Sequence, residues 1–431
     1  MRARVVITGM GIVNALGPDL DTVWPRLLAA ENGVDKISFF DASRYATTVA
    51  AEARFLPPLF VGTGDSTSTG LSSVPADFCR RAAHFFLRAS REAFADSGLE
   101  ASGFEPAQVG VAAGVSVNYL QLELLHYYYR FRSADGARLD MGRFAREGVQ
   151  PENSFYLRLG ELAAVLPAKA LNLAGPNFAI DTACASSAFA VGEAYRLIQR
   201  GRAKAMIAGG AAALVNPIGI LAFSRLGALS RNPDPEEASR PFDRRRDGFV
   251  MGEGGGAVLL EDLEHARARG AHVYAELAGY GVTVNAHNLT DPSPEGRCEE
   301  MAMRLALEEA SLPPEEIDYV AAHGTSTAKN DLVETAALKR LFGSHAQRVL
   351  VSSHKAQIGH TISGAGISNL IFATKAIQDS CAPPTGHYRN ADPDCDLDYV
   401  PNACRRAEIG AALANAFAFG GQNAVLVATA L

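Results

Sequence analysis

The sequence predicts an α/β protein built from two halves of similar plan. Short apolar runs alternate with helical stretches along the chain, and the alternation restarts after the charged segment at residues 261–270. Several of these runs end in loops of small residues that carry a Cys or a His, the strand-end position where α/β proteins assemble sites.

The first half has strand-like runs at residues 5–8, 109–112, 179–181, 205–208 and 256–260, with helical stretches at 82–97 and 188–200. The second has runs at 273–279, 319–322, 350–352 and 424–428. A boundary near residue 265 follows, with one half at 1–265 and the other at 266–431. Letters alone show no repeat between them. The longest apolar stretch, residues 205–223, contains Gly209, Gly210, Asn216 and Pro217, so it reads as a buried strand, a turn and a helix start, and no membrane span is expected.

With 431 residues, 48% of them hydrophobic and 20% charged, the chain can bury a large core. Its 33 Arg and 7 Lys are outweighed by acidic residues to a net charge of −7, which argues against a nucleic-acid-binding surface and leaves any basic patch local. Cys79, Cys184, Cys298, Cys381, Cys395 and Cys404 show neither metal-ligand spacing nor a disulfide framework. In a large chain with no signal-peptide pattern they read as reduced cytoplasmic thiols.

Cys184 lies where the run Phe178-Ala179-Ile180-Asp181 gives way, through tiny residues, to a helix. A thiol at a helix N-terminus faces unpaired N–H groups and a positive dipole end, so its thiolate is expected to be favoured. A Cys among alanines is also what a packed core contains. Two distant segments point toward chemistry: Ala322-His323-Gly324-Thr325-Ser326-Thr327, followed by Asp331 and Glu334, and Ser353-His354-Lys355-Ala356-Gln357-Ile358-Gly359-His360. The C-terminal run Asn415-Ala416-Phe417-Ala418-Phe419-Gly420-Gly421 is a fourth such segment.

In these segments the chain resembles the β-ketoacyl-acyl-carrier-protein synthases, the elongating condensing enzymes of the thiolase superfamily, which include fatty-acid synthases and type II polyketide ketosynthases. Val5-Val6-Ile7-Thr8-Gly9-Met10-Gly11 with Leu16-Gly17 resembles the family's opening, and Ser239-Arg240-Pro241-Phe242-Asp243 through Arg246-Asp247-Gly248-Phe249-Val250-Met251-Gly252-Glu253-Gly254 its central signature. The resemblance implies the thiolase fold, a five-layer αβαβα arrangement in which the first half supplies Cys184 and the second supplies both histidines. It further implies Cys184 as nucleophile, His323 and His360 as donors to an enolate oxygen, Lys355 as an electrostatic residue, and the N–H groups of Cys184 and Phe419 as an oxyanion hole. Phe419, with Gly420 and Gly421 as hinge, would gate the site. Thr325 and Thr327 would bind pantetheine, although turn capping explains them too. Asp331 and Glu334, together with Asn369 and Asn415, would support the loops, although an exposed helix start accounts equally for the acidic pair. No metal or cofactor is implied; the substrates ride on the phosphopantetheine of an acyl carrier protein. The partner subunit is a second copy or a chain-length-factor-type relative.

Three departures stand out. Asn369 occupies the position of a usual Glu, which is expected to remove negative charge near Lys355; Ala328 replaces a usual Pro; and Ala418 replaces a usual Gly, where a Cβ would be strained if the loop needs positive φ. Residues 114–171 are rich in aromatics (Tyr119, Tyr127, Tyr128, Tyr129, Phe131, Phe155, Tyr156), which read as core packing or as the wall of an unusual acyl pocket. Arg138, Arg143 and Arg146 in this region are candidates for docking an acidic carrier, or are simply a solvated face. The departures point to a specialised polyketide or unusual fatty-acid pathway; housekeeping fatty-acid elongation is the alternative. A non-catalytic chain-length-factor-type subunit is disfavoured by Cys184, and a degradative thiolase by His360 where a second Cys is needed.

Overall fold

The computed structural model describes residues 3–55, 78–116, 129–136, 138–147 and 162–431. Tyr119, Tyr127, Tyr128, Phe155 and Tyr156 lie outside the described residues.

Two sets of five strands share one topology. The first contains β1 (Val5–Val13), β2 (Val109–Val115), β3 (Asn177–Asp181), β4 (Ala205–Ala212) and β5 (Gly254–Asp262), in the spatial order β1-β5-β4-β2-β3. The second contains β6 (Ala275–Val284), β7 (Tyr319–Ala321), β8 (Leu350–Ser352), β9 (Ala411–Phe417) and β10 (Gln422–Thr429), in the order β6-β10-β9-β7-β8. In each set the first strand runs antiparallel to the last, the last antiparallel to the fourth, and the remaining pairs are parallel. Val6 and Ile7 pair with Glu276 and Ala275, so β1 and β6 join the two sets into one sheet.

Five layers follow from how helices cover these strands. Helix α1 (Phe78–Asp96) packs on the outer face of the first set through Phe85, Phe86, Ala89 and Ala93. Helices α2 (Ser186–Gln199) and α5 (Ala365–Asp379) lie together in the centre, where Ala188 and Val191 share a core with Ile367, Leu370 and strand residues of both sets. Helices α3 (Arg297–Ala310) and α4 (Ala328–Phe342) cover the outer face of the second set. Strands covered on both faces read as continuous apolar runs, which is why β1 is buried along its whole length.

The duplication extends to packing. A Cβ on Gly9 or Gly11 of β1 would stand 2.0 or 2.2 Å from the carbonyl oxygens of Ala93 and Ala89, and one on Gly279 or Gly281 of β6 would stand 2.1 Å from those of Ala306 and Ala302. Each half therefore uses a Gly-X-Gly in its first strand to admit a helix backbone. Strand β9 went unrecognised in the sequence because its alanine-rich letters carry little β propensity, although all of its residues are buried. The apolar stretch at 205–223 becomes β4 and the start of a short helix, Pro217–Arg225, and among the described residues no helix is long and apolar enough to cross a membrane.

Candidate active site

Cys184 follows the edge strand β3. Ala183 takes a left-handed conformation (φ 48°), a single 3-10 turn spans Ala183–Ala185, and α2 begins at Ser186. The Ser186 hydroxyl closes this turn by accepting from Thr182 N at 2.9 Å and donating to Ala183 O at 2.7 Å. Burial pushes the Cys184 thiol up to about 11; Lys355 and the backbone N–H groups of Phe419 and Cys184 pull the other way without prevailing. The expected standing thiolate is therefore corrected: with the cavity closed around it, the sulfur loses more solvation than the helix end and the N–H groups return. Those same N–H groups point at the sulfur.

His323 lies two residues past the end of β7, and its loop is held from beneath by two fully buried carboxylates. Glu334 accepts from His323 N at 2.8 Å, Gly324 N at 2.7 Å and Asn415 Nδ2 at 3.1 Å. Asp331 accepts from Thr325 N at 3.0 Å and Phe242 N at 2.8 Å, with Arg246 Nε 3.7 Å away. These residues are not an exposed helix start; α4 points its first turn into the loop. Burial raises both carboxyl pKa values, and the N–H donors oppose it.

Lys355 is likewise buried, and burial brings its pKa down to about 8 against the attraction of Glu334, Cys184 and Asp331. Its Nζ donates to His323 O. Burial also holds His323 and His360 well below the ordinary imidazole value, and Lys355 adds to this, so both rings are neutral. His360 Nδ1 accepts from Ile362 N at 3.2 Å, which leaves the proton on Nε2. The rings of His323 and His360 lie 5.4 Å apart and nearly perpendicular.

Asn369 donates to Ala322 O at 3.0 Å and Asn415 O at 2.9 Å, tying β7 to β9, and its Oδ1 faces His354 Nδ1 at 3.4 Å. Its hydrogen bonds among the described residues do not include Lys355, and the carboxylates acting there are Glu334 and Asp331. Ala418 has φ −123°, an ordinary extended value, so the expected strain at this position is absent. Positive φ falls instead on Gly420 (83°) and Gly421 (77°). A Cβ on Gly421 would meet Asn285 O at 1.9 Å. The half-buried Phe419 stacks on Phe223 with ring centroids 6.4 Å apart.

Cys184, His323, His360, Thr325, Thr327 and Phe419 all line one cavity of about 320 Å³. The Thr325 and Thr327 hydroxyls bond each other at 2.8 Å, and the Thr327 side chain also caps α4 by accepting from Asn330 N. The geometry thus places a thiol, two N–H groups and neutral imidazoles around one space.

Models of the beta-ketoacyl synthase N-terminal and C-terminal domains match residues 2–266 and 274–389. The chain belongs to the beta-ketoacyl synthase family. It is 39% identical to the 3-oxoacyl-[acyl-carrier-protein] synthase 2 of Coxiella burnetii over 99% of its own length and 98% of that protein. The Synechocystis protein of the same name is 38% identical over 99% and 97%. As a beta-ketoacyl synthase with such relatives, the chain is an acyltransferase of the condensing type. Among solved structures it is similar to a chain from the complex of a type II polyketide acyl carrier protein with its ketosynthase bound to the hexaketide (TM-score 0.86, 30% identity, 100% of both chains). The ishigamide ketosynthase/chain length factor gives TM-score 0.84 at 30% identity over 100% of both chains. These neighbours share the thiolase fold.

The central signature of this beta-ketoacyl synthase, which carried no residue roles in the sequence, braces both histidine loops. Val250 O accepts from His360 N at 2.7 Å, Gly252 N donates to His360 O at 2.9 Å, Arg240 N donates to Ser326 Oγ at 3.0 Å, and Arg246 bonds Thr327 O and Asp392. Its mixed composition hid this, because the contacts are made mostly by backbone. Arg138, Arg143 and Arg146 are exposed and stand outside the cavity, the latter two on the short helix Met141–Glu147, where Arg143 pairs with Glu147 at 3.0 Å. Among the described residues no group of three His, Cys, Asp or Glu is placed to hold a metal ion. The buried thiol leads to a direct expectation: alkylation of Cys184 by iodoacetamide in ligand-free protein should keep accelerating from about pH 8 to about pH 10, and a plateau reached near pH 7 would contradict the assignment.

Proposed function

We propose that the protein catalyses decarboxylative Claisen condensation of a Cys184-bound acyl chain with malonyl-acyl carrier protein, giving β-ketoacyl-acyl carrier protein. The observation that carries this reading is the meeting of Cys184, His323 and His360 in one cavity, with the Phe419 N–H directed at the sulfur. Cys184 attacks the incoming thioester and the carrier thiol departs, while the N–H groups of Cys184 and Phe419 hold the oxyanion. The malonyl group then loses carbon dioxide; the electron pair of the broken C–C bond forms an enolate whose oxygen takes hydrogen bonds from His323 and His360. Neutral imidazoles suit this role, since each offers one N–H. The enolate carbon attacks the acyl carbonyl, the C–S bond breaks, and Cys184 leaves as a thiolate that Lys355 favours electrostatically.

Thr325 and Thr327 bind the pantetheine arm, and Phe419 swings on Gly420 and Gly421 to open the acyl channel, a role that its partial exposure and the positive φ of both glycines support. Asp331, Glu334, Asn369 and Asn415 hold the loops. The work is divided between the halves 1–265 and 266–431, with Cys184 in the first and the histidines in the second. The protein acts in the cytoplasm without a cofactor, docked to an acyl carrier protein and paired with a second copy or a chain-length-factor-type subunit. We place it in a specialised polyketide or unusual fatty-acid pathway; its support is the sequence departures and the polyketide ketosynthase among its structural neighbours.

Two experiments test this proposal. Replacing Cys184 with Ala should abolish acyl loading yet leave some malonyl decarboxylation, whereas His323→Ala or His360→Ala should lower decarboxylation by about 10²–10³; both are read as carbon dioxide release and as acyl-Cys184 by mass spectrometry, and normal elongation by Cys184→Ala would sink the mechanism. For the carrier, reversing Arg138 and Arg146 to Glu should raise the apparent KM for acyl carrier protein much more than for an acyl-pantetheine mimic, and the difference should shrink with added salt. Equal effects on both substrates would remove this face from the docking site.

A further inference from the structure

Glu299 is a buried carboxylate that the mechanism does not use. It lies in the first turn of α3, where the helix dipole favours an acidic residue. That position does not explain its burial. The adjacent Glu300 already serves the surface by pairing with Arg304 at 2.9 Å and Arg340 at 2.8 Å, whereas Glu299 is only 2% exposed. Its Oε2 has no hydrogen-bond partner among the described residues, and its side chain lines the same 320 Å³ cavity as Cys184, Thr325 and Thr327. Burial raises its carboxyl pKa, as an oxygen stripped of water and left unpaired would require.

An unpaired buried acceptor calls for a donor from whatever fills the cavity. On the reading above, the occupants are an acyl chain, a malonyl carboxylate and a pantetheine arm. The acyl chain carries no donor and the malonyl carboxylate would be repelled. The pantetheine arm has two amide N–H groups and a hydroxyl. Resting on that reading, we propose that Glu299 accepts a hydrogen bond from an amide or the hydroxyl of the pantetheine arm and so sets how deeply the thioester is presented to Cys184. Of the three carboxylates that line the cavity, Asp247 is exposed and accepts from Ser230 Oγ and Arg231 N, and the half-buried Asp291 pairs with Lys329, so Glu299 is the buried one with an unpartnered oxygen among the described residues.

The test compares acyl loading of Cys184, followed by mass spectrometry, from hexanoyl-pantetheine and from the hexanoyl thioester of ethanethiol, which lacks the arm. Glu299→Leu should raise the half-saturating concentration of hexanoyl-pantetheine about tenfold with little change in maximal rate, and should leave the ethanethiol thioester within about twofold. Glu299→Gln, which keeps an acceptor oxygen, should stay within about threefold for both. Equal changes for the two thioesters, or no change for either, overturn the proposal. The wild-type protein gives a reading that needs no variant: capping the arm's amides and hydroxyl with methyl groups should weaken half-saturation about tenfold, and unchanged half-saturation overturns the proposal even if Glu299→Leu fails to fold. A wild-type protein that loads from neither thioester overturns the condensing reading and this inference with it; loading with an indifferent Glu299→Leu overturns this inference alone.

Discussion

The site depends on two carboxylates buried beneath a loop. Glu334 and Asp331 have no exposed surface, yet each accepts backbone N–H groups from the segment that carries His323. Removing an ionised carboxylate from water costs several kcal/mol, and N–H donors to its lone pairs offset that cost. The backbone therefore has little freedom to place Gly324 or Thr325 elsewhere. The same charges limit how far burial depresses Lys355, whose ammonium in turn touches His323 O. One electrostatic cluster thus fixes the loop, keeps a cation within reach of Cys184, and lets neutral histidines face the cavity.

The duplicated topology brings that cluster to Cys184. In the second half β7, β8 and β9 are parallel neighbours, so the loops bearing His323, Lys355 and Phe419 emerge at the same edge of the sheet. In the first half β3 leads into Cys184, and α2, which follows it, packs on α5 at the centre of the molecule. Gly366 of α5 leaves only 2.9 Å between a would-be Cβ and the Ala188 side chain, so the central helices meet almost backbone to backbone. The cavity lined by Cys184, His323 and His360 opens where these two helix starts converge, so its lining comes from both strand sets.

Much of this was legible in the sequence because strand-end loops rich in Gly, Ser and Thr announce themselves, and Cys184, His323 and His360 each sit in one. Residues whose role is to hold backbone were legible only in part. Asp331 and Glu334 read equally well as an exposed helix start, which their burial excludes, and Asn369 reads as a loop support without any sign in the sequence that it bridges strands. The Cys184 thiol was misjudged because local sequence reports the helix end beside it but not the cavity that desolvates it. Glu299 is hidden for a similar reason: its letters fit any helix N-terminus, and only the fold places it on the cavity that Cys184 lines.

The central claim is that the buried carboxylates make the histidine loop competent, so the most direct measurement is malonyl decarboxylation by Glu334→Gln alongside its melting temperature and its Cys184 acylation. The substitution keeps the volume but turns part of the acceptor into a donor facing two N–H groups. The account predicts a fall in decarboxylation of about 10²-fold, beyond any loss of folded protein, with acylation of Cys184 largely retained. Decarboxylation at the wild-type rate in a folded Glu334→Gln protein would contradict it.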